Sequence, residues 1–410
     1  MAQETLTVEK SVQLALENNY GIKMARNNAE MSNNSATAGN AGLLPNLSAT
    51  AGLSYTDGET MGMAGKENYE STSGNAGLSL SYTLFDGMGT INNFRSLKLT
   101  AENGELQSKY IIENTIVQVV NSFYMLAQYN DNVGLMKEMM DISSERLARA
   151  QAKKEFGTTT SLNVLSAKVD FNNDSISYLN ALKSMKQAKR SFNALLGVDV
   201  SSDFEVESSA LNFGEFDFED LLSTSLTNNI SYQMSKLGLS QSELGQQQAK
   251  ASLYPRLSLS SSYGYNQSVE GFAVQMNDPL MNFSTGVTLS YNLFNGGQSK
   301  IQRQNATISM ENSQLQLDED KLNLQRDLHN ALLDYENSLA ILNAESDNIL
   351  AAELNFEQAQ EYYRLGQISS TQYRESQSNL IRAKVNRNAA RYSAKMAETE
   401  LKRLSGGIVE

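Results

Sequence analysis

The chain has 410 residues, which at roughly 150 residues per domain allows two or three domains. It is 40% apolar and 19% charged, with 3 prolines, 1 histidine, no cysteine and no tryptophan. Cysteine-based zinc and disulfide frameworks are therefore excluded, and acid–base chemistry by histidine would rest on His329 alone. A formal charge of -13 argues against nucleic acid as a partner, which needs a basic face.

The first residues, Met1-Ala2-Gln3-Glu4, run without a leader pattern into a helical stretch from Leu6. Either the protein is cytoplasmic or a signal peptide is absent because it has been removed. The spacing predicts a helix over 6–40, ended by Pro45. Two alternating segments follow, at 46–56 and 76–85. Leu47, Ala49, Ala51, Leu53 and Tyr55 lie on one face, with Ser48, Thr50, Gly52 and Ser54 on the other. Such period-two segments of about 9–11 residues suit tilted strands that cross a bilayer, apolar outside and polar inside. The intervening stretch 57–75 reads as a long exposed loop.

From 90 to 156 there is no proline, and apolar residues recur every seven positions at Ile112, Val119, Leu126, Val133, Met140 and Leu147. A seven-residue period marks helices that supercoil on one another. A helix of this length is a rod of about 90–100 Å. Gly157 then marks a tight turn into a second helix, 158–196.

After an acidic stretch near 198–218 the same series returns: a helix over 218–250, Pro255, strands at 256–266 and 285–294, a helix over 298–365, Gly366 and a helix over 367–405. The stretch 266–285 again reads as a loop. Leu43-Leu44-Pro45-Asn46-Leu47-Ser48 recurs 210 residues later as Leu253-Tyr254-Pro255-Arg256-Leu257-Ser258. Leu80-Ser81-Tyr82-Thr83-Leu84-Phe85-Asp86-Gly87 recurs 209 later as Leu289-Ser290-Tyr291-Asn292-Leu293-Phe294-Asn295-Gly296. Gly157 and Gly197 match Gly366 and Gly406. Two structural repeats, 1–205 and 206–410, are expected. Four strands cannot close a membrane barrel, whose smallest forms have about eight, and open edges in lipid cost several kcal/mol per unpaired group. Membrane-spanning strands would have to be pooled between chains.

The two helix–strand–strand–helix–helix units, with prolines at the helix-to-strand joints, resemble the TolC family of outer-membrane efflux proteins. The resemblance rests on the Leu-Pro-Asn-Leu and Tyr-Pro-Arg-Leu joints, the Leu-Phe-Asp-Gly and Leu-Phe-Asn-Gly strand ends, the turns at Gly157 and Gly366, and Leu195-Leu196-Gly197. It implies a mostly α fold with a membrane β-barrel: a homotrimer whose 12-stranded barrel continues into a long periplasmic α-helical barrel. It also implies a place in the bacterial outer membrane, reaching into the periplasm, with outer-membrane lipid around the strands. The partners it implies are a periplasmic adaptor protein and an inner-membrane transporter, the chain being a passive exit duct for efflux or secretion. No enzyme activity, cofactor or metal is implied.

By the same resemblance, the hairpin tips Gly157, Thr158, Thr159, Thr160 and Gly366, Gln367, Ile368, Ser369 are expected to dock the adaptor. Aligned on Gly366, the family's acidic constriction falls on Gln372 and Glu375, and after Gly157 on Asn163, so one acid has become an amide. Glu375 is expected to face a gate, or else to be a surface charge or a partner of Arg374 or Lys168. Tyr363 is expected either to plug the constriction or to end the heptad stripe. The readings from other classes are a flagellin-like secreted filament subunit, also rich in polar amides and poor in cysteine, and a soluble coiled-coil scaffold. Neither needs the tandem strand pairs.

Overall fold

The computed structural model describes residues 5–62, 65–206, 211–270, 275–276 and 280–408. In chain order these form β1 (Thr5–Leu6), α1 (Val8–Asn18), α2 (Tyr20–Ser35), β2 (Asn46–Gly62), β3 (Gly65–Phe85), α3 (Gly89–Glu155) and α4 (Ser161–Leu196). The second half adds β4 (Glu205–Val206), α5 (Phe218–Asn228), α6 (Ile230–Ala251), β5 (Arg256–Glu270), β6 (Gln275–Met276), β7 (Leu280–Ser290), α7 (Gln298–Arg364) and α8 (Ser370–Ser405). The two long helices have 67 residues each and the two that follow them 36 each, so these helices repeat to the residue. No described helix is long and apolar enough to cross a membrane.

The chain divides into two compact units, each drawing on both halves. The first comprises Met1–Asn27, Leu106–Gln233 and Glu319–Glu410 and holds two cores. In one, Val119, Phe123, Leu126, Phe192 and Leu196 pack with Ala15 and Tyr392; in the other, Leu328, Tyr335, Leu401 and Leu404 pack with Leu221. Val119 and Leu126, Leu328 and Tyr335 are members of the heptad stripes, which face these cores. His329 stacks on Phe218 with ring centroids 3.7 Å apart.

The expected single helices 6–40 and 218–250 are each broken, at Asn19 and Asn229. The break is built the same way twice. Asn19 Nδ2 donates to the Leu195 carbonyl at 2.7 Å while its Oδ1 accepts the Ile22 amide. Asn229 Nδ2 donates to the Leu404 carbonyl at 3.0 Å while its Oδ1 accepts the Tyr232 amide. Each asparagine thus starts a new helix and ties it to the end of α4 or α8, where Gly197 and Gly406 cap with φ of 74° and 77°.

The second unit comprises Asn28–Glu105 and Met234–Asp318 and contains the sheet. Its long strands lie in the order β2-β3-β5-β7, all antiparallel, with β6 also on β5. Pro45 and Pro255 stand one residue before β2 and β5, a position where a missing N–H costs no ladder bond. Strand-to-helix corners repeat as well: the Asp86 carboxylate accepts the Thr90 amide at 2.8 Å to start α3, and Asn295 meets Ser299 at 2.7 Å to start α7.

Two expectations about the strands are corrected. The stretch 57–75 is no loop: β2 and β3 remain paired from Asn46↔Ser81 to Gly62↔Gly65. Past Tyr55 both faces of this hairpin are polar, with Asp57 opposite Glu70 and Lys66 paired to Glu59 at 2.7 Å, so no hydropathy alternation betrays the pairing. The second correction concerns 285–294: β7 begins at Leu280 and ends at Ser290, leaving Tyr291, Asn292, Leu293 and Phe294 outside the ladder. The expected loop 266–285 is strand at both ends, and residues 271–274 and 277–279 within it lie outside the described residues.

Candidate functional site

Two regions carry the geometry relevant to function: the faces of the sheet and the tips of the helical hairpins.

The register sorts the sheet into a mostly apolar face, which also holds Ser261 and Thr285, and a mostly polar face, which also holds Arg256. Ala49, Leu78, Tyr263 and Phe283 stand side by side across β2, β3, β5 and β7. On the other face the row Ser48, Ser79, Ser262 and Ser284 runs across the same strands, with hydroxyls of Ser48 and Ser79 2.7 Å apart and those of Ser262 and Ser284 2.9 Å apart. The next polar row is Thr50, Gly77, Gly264 and Asn282. From Leu47 to Tyr55 the apolar face carries no charge; Asp57 and Glu70 begin the charged end beyond it. The apolar side chains Leu53, Leu78, Phe283, Val287 and Leu289 are exposed on the chain. Nothing in a soluble sandwich leaves such a face uncovered.

At the tips, both turns are Schellman motifs. The Gly157 amide donates to the Lys154 carbonyl and the Thr158 amide to that of Lys153. The Gly366 amide donates to Tyr363 and that of Gln367 to Tyr362. The φ angles of 72° at Gly157 and 76° at Gly366 require glycine, although an added Cβ would meet nothing within 4 Å at either. Thr160 and Ser369 then cap α4 and α8. Thr158 bonds the Lys153 carbonyl at 2.9 Å, and Asn163 Nδ2 donates to Thr159 Oγ1 at 2.9 Å. Gly157, Thr158, Thr160, Gly366, Gln367 and Ser369 are exposed, while Thr159 and Ile368 are half-buried.

The gate candidates fall in different settings. Gln372 closes a capping box: its Oε1 accepts the Ser369 amide at 2.9 Å, and its own amide donates to Ser369 Oγ at 3.2 Å. An amide side chain there is accounted for by the cap. Asn163 occupies the matching place after Thr160. Tyr363 is half-buried and stacks on Tyr373, centroids 4.8 Å apart, with Lys153 5.9 Å from its ring. Burial raises the Tyr373 hydroxyl above its ordinary value, against the pull of Arg149 and Arg146. Glu375 is exposed, and among the described residues no ion pair or hydrogen bond holds it.

Arg374 does not pair with Glu375. Its guanidinium grips the buried Asp174 of α4 through two bonds, of 2.5 and 2.7 Å, and donates a third to Gln377. Asp174 lies 200 residues away, so no spacing in the sequence announces the pair. Further along α8, Lys384 pairs with Glu138 at 2.9 Å and Arg391 with Asp131 at 3.1 Å, both acids on α3. Nearby, Arg146 of α3 pairs with Asp170 of α4. Among the described residues no group of histidine, aspartate and glutamate could hold a metal ion.

An exposed apolar sheet face, a face rich in hydroxyls and a doubled helical hairpin are consistent with a duct, and the family comparison agrees. The profile described as outer membrane efflux protein matches residues 11–198 and 221–407, one stretch for each half. The chain belongs to this family. The fold of its solved relatives is the same. The Campylobacter jejuni CmeC outer membrane channel superposes with a TM-score of 0.82 at 18% identity, over 98% of this chain and 85% of that one. VceC from Vibrio cholerae gives 0.77 at 15% identity over 98% and 97%, and the open state of MtrE from Neisseria gonorrhoeae gives 0.72 at 18% over 98% and 89%. No curated protein matches the chain by sequence.

Proposed function

We propose that this outer membrane efflux protein is the passive exit duct of an envelope-spanning pump, working as a homotrimer. One observation carries the reading: four long strands in one chain present an apolar face uncharged from Leu47 to Tyr55 and a face rich in hydroxyls, and end in two edges, β2 and β7, that no strand among the described residues covers. Lipid cannot satisfy those edges. Three copies supply twelve strands, enough to close a barrel, with the serine rows inside and outer-membrane lipid outside. The helical hairpins then form the periplasmic conduit. Their tips, Gly157–Thr160 and Gly366–Ser369, exposed but for the half-buried Thr159 and Ile368, dock a periplasmic adaptor, which in turn brings an inner-membrane transporter. The unpaired Glu375 supplies a threefold carboxylate ring at the inner end, favouring cations, and Tyr363 and Gln372 shape that end by packing and capping.

Light scattering in detergent, combined with conductance in planar bilayers, tests the duct. The expected result is a particle of three chains that forms discrete channels. A monomeric particle with an intact strand signal, or a trimer that never conducts, contradicts it.

A further inference from the structure

In the second half of the chain, both segments that leave the apolar part of the sheet pass through the same order of residue types. Going back from Leu257 of β5, the chain meets the exposed Tyr254 and Leu253 and then Lys250, in the last turn of α6. Going forward from Leu289 of β7, it meets the exposed Tyr291, Leu293 and Phe294 and then Lys300 and Arg303, in the first turns of α7. Apolar residues, then exposed aromatics, then cations is the order in which a protein surface leaves hydrocarbon for lipid headgroups.

These three cations share one groove. A cavity of about 740 Å³ opens between α6 and α7, lined by Gln246 and Lys250 from one helix and Lys300, Arg303, Gln304 and Thr307 from the other, and the rest of its lining is uncharged. Gln246 ties the two helices together there by donating to Thr307 Oγ1 at 3.2 Å. None of the three cations has a carboxylate partner among the described residues. Lys250 donates only to Gln246 Oε1, at 3.1 Å, and Arg303 only through Nε to the Ser299 carbonyl, at 3.4 Å. The nearest acids on the two helices, Glu243 and Glu311, lie seven residues before Lys250 and eight after Arg303, about 10–12 Å along the helix axes. Like charges gathered without an acid repel one another, and this happens in a chain whose net charge is -13. The fold does not impose them. Under the repeat, the first half places Asn40, Ile91 and Phe94 where the second has Lys250, Lys300 and Arg303.

We infer that the groove between α6 and α7 binds the phosphate of an anionic phospholipid in the leaflet at the helical end of the sheet. Lys250 and Lys300 act as point charges, and the half-buried Arg303 offers the two Nη groups that nothing among the described residues engages, a fork suited to phosphate oxygens. A zwitterionic headgroup would bring a cation of its own into a groove that holds three, so the site prefers lipids of net negative charge. The inference rests on the membrane placement proposed above and adds to it a lipid class and the residues that hold it.

Native mass spectrometry of the detergent-solubilised protein counts bound lipids directly. Dioleoyl phosphatidylglycerol should bind more tightly than dioleoyl phosphatidylcholine, and the preference should shrink as salt rises. At roughly fivefold per cation, Lys250→Gln, Lys300→Gln and Arg303→Gln together should weaken phosphatidylglycerol binding on the order of a hundredfold and leave phosphatidylcholine unchanged. Lys66→Gln, at the opposite end of the β2–β3 hairpin, should alter neither. The exposed Lys300→Gln alone, expected to cost about fivefold, gives the same reading if the triple variant does not fold. Inorganic phosphate is the third ligand: if it displaces phosphatidylglycerol at equal concentration, the groove takes free anions and the lipid assignment falls. Equal binding of the two lipids, or variants that keep the parent's affinity, overturns the site. A chain that conducts in phosphatidylcholine bilayers but shows no lipid preference leaves the duct standing without this site. A chain that enters no bilayer overturns both.

Discussion

Gly197 and Gly157 both end a helix with positive φ, of 74° and 72°, yet alanine should cost very different amounts at the two. At Gly157 an added Cβ meets nothing within 4 Å, so only the left-handed backbone matters, about 1–2 kcal/mol. At Gly197 the Cβ would lie 2.5 Å from the Asn18 carbonyl oxygen and 2.7 Å from its carbon, both backbone atoms that no rotamer change can move. Relief requires the α1–α2 break to lift off the end of α4. That breaks the 2.7 Å bond from Asn19 to the Leu195 carbonyl, and leaving a buried partner unsatisfied adds about 1–3 kcal/mol. Gly197→Ala should therefore cost roughly 2–5 kcal/mol. Gly406→Ala should resemble it, since its Cβ would meet Asn228 backbone at 2.8 and 2.9 Å. Urea unfolding followed by helical circular dichroism at 222 nm, in one detergent, reads the difference. Equal midpoint shifts for Gly157→Ala and Gly197→Ala would refute the steric reasoning.

Asp174→Ala should destabilise the helical unit by about 3–5 kcal/mol because it strands the Arg374 guanidinium, whereas Asp174→Leu with Arg374→Met should restore most of the loss; urea midpoints for the two variants check this. Burial opposes ionisation of Glu398, but hydrogen bonds and charges from Lys395 and Lys402 prevail and hold its carboxyl below its ordinary range. Its contribution is thus present above the unfolded value, near 4.5, and fades as pH falls through the lowered folded value. The acid limb of a thermal stability profile should accordingly flatten in Glu398→Gln. Glu375→Gln should weaken cation preference, read as a smaller reversal potential under a salt gradient; an unchanged potential removes Glu375 from the gate. Thr159→Trp and Gly366→Trp should abolish adaptor crosslinking and efflux while leaving the trimer intact by light scattering, and unimpaired docking would move the adaptor site elsewhere.

The sequence exposed what is periodic and hid what is not. Repeated Leu-Phe-Asp-Gly and Leu-Phe-Asn-Gly, the heptads and the alternating strands each carry a signal of their own, and the family follows from their order. Asn19 and Asn229 close matching stretches, Leu16-Glu17-Asn18-Asn19 and Leu226-Thr227-Asn228-Asn229, but nothing in them announces a break, because their partners, the Leu195 and Leu404 carbonyls, lie over 170 residues away. Pairing beyond Tyr55 was hidden because a hairpin polar on both faces has no hydropathy period. The end of β7 at Ser290 is equally illegible, since alternation continues through Leu293 while the ladder with β5 stops at Arg256↔Ser290, one residue after Pro255. At the tips, glycine and the small polar set announced turns and caps. The Arg374–Asp174 clasp had no local signature, and the neutral Gln372 becomes intelligible only once Ser369 is seen to bond it.

The serine and glycine rows of the sheet bear on how cargo would travel. Beyond Arg256, which stands on this face and donates to Thr83, the wall is surfaced with hydroxyls, short amides and bare backbone and offers passing molecules few charges to cling to. It makes many weak contacts that water can replace at almost no cost. Solutes of unlike chemistry would slide past it at similar rates, with little friction and no residence. Selection, if the conduit exercises any, then belongs to its entrance, and the outer half needs only to stay wide and wet. Such a lining also tolerates sequence drift among Ser, Thr, Gly and Asn, so the exit can vary freely.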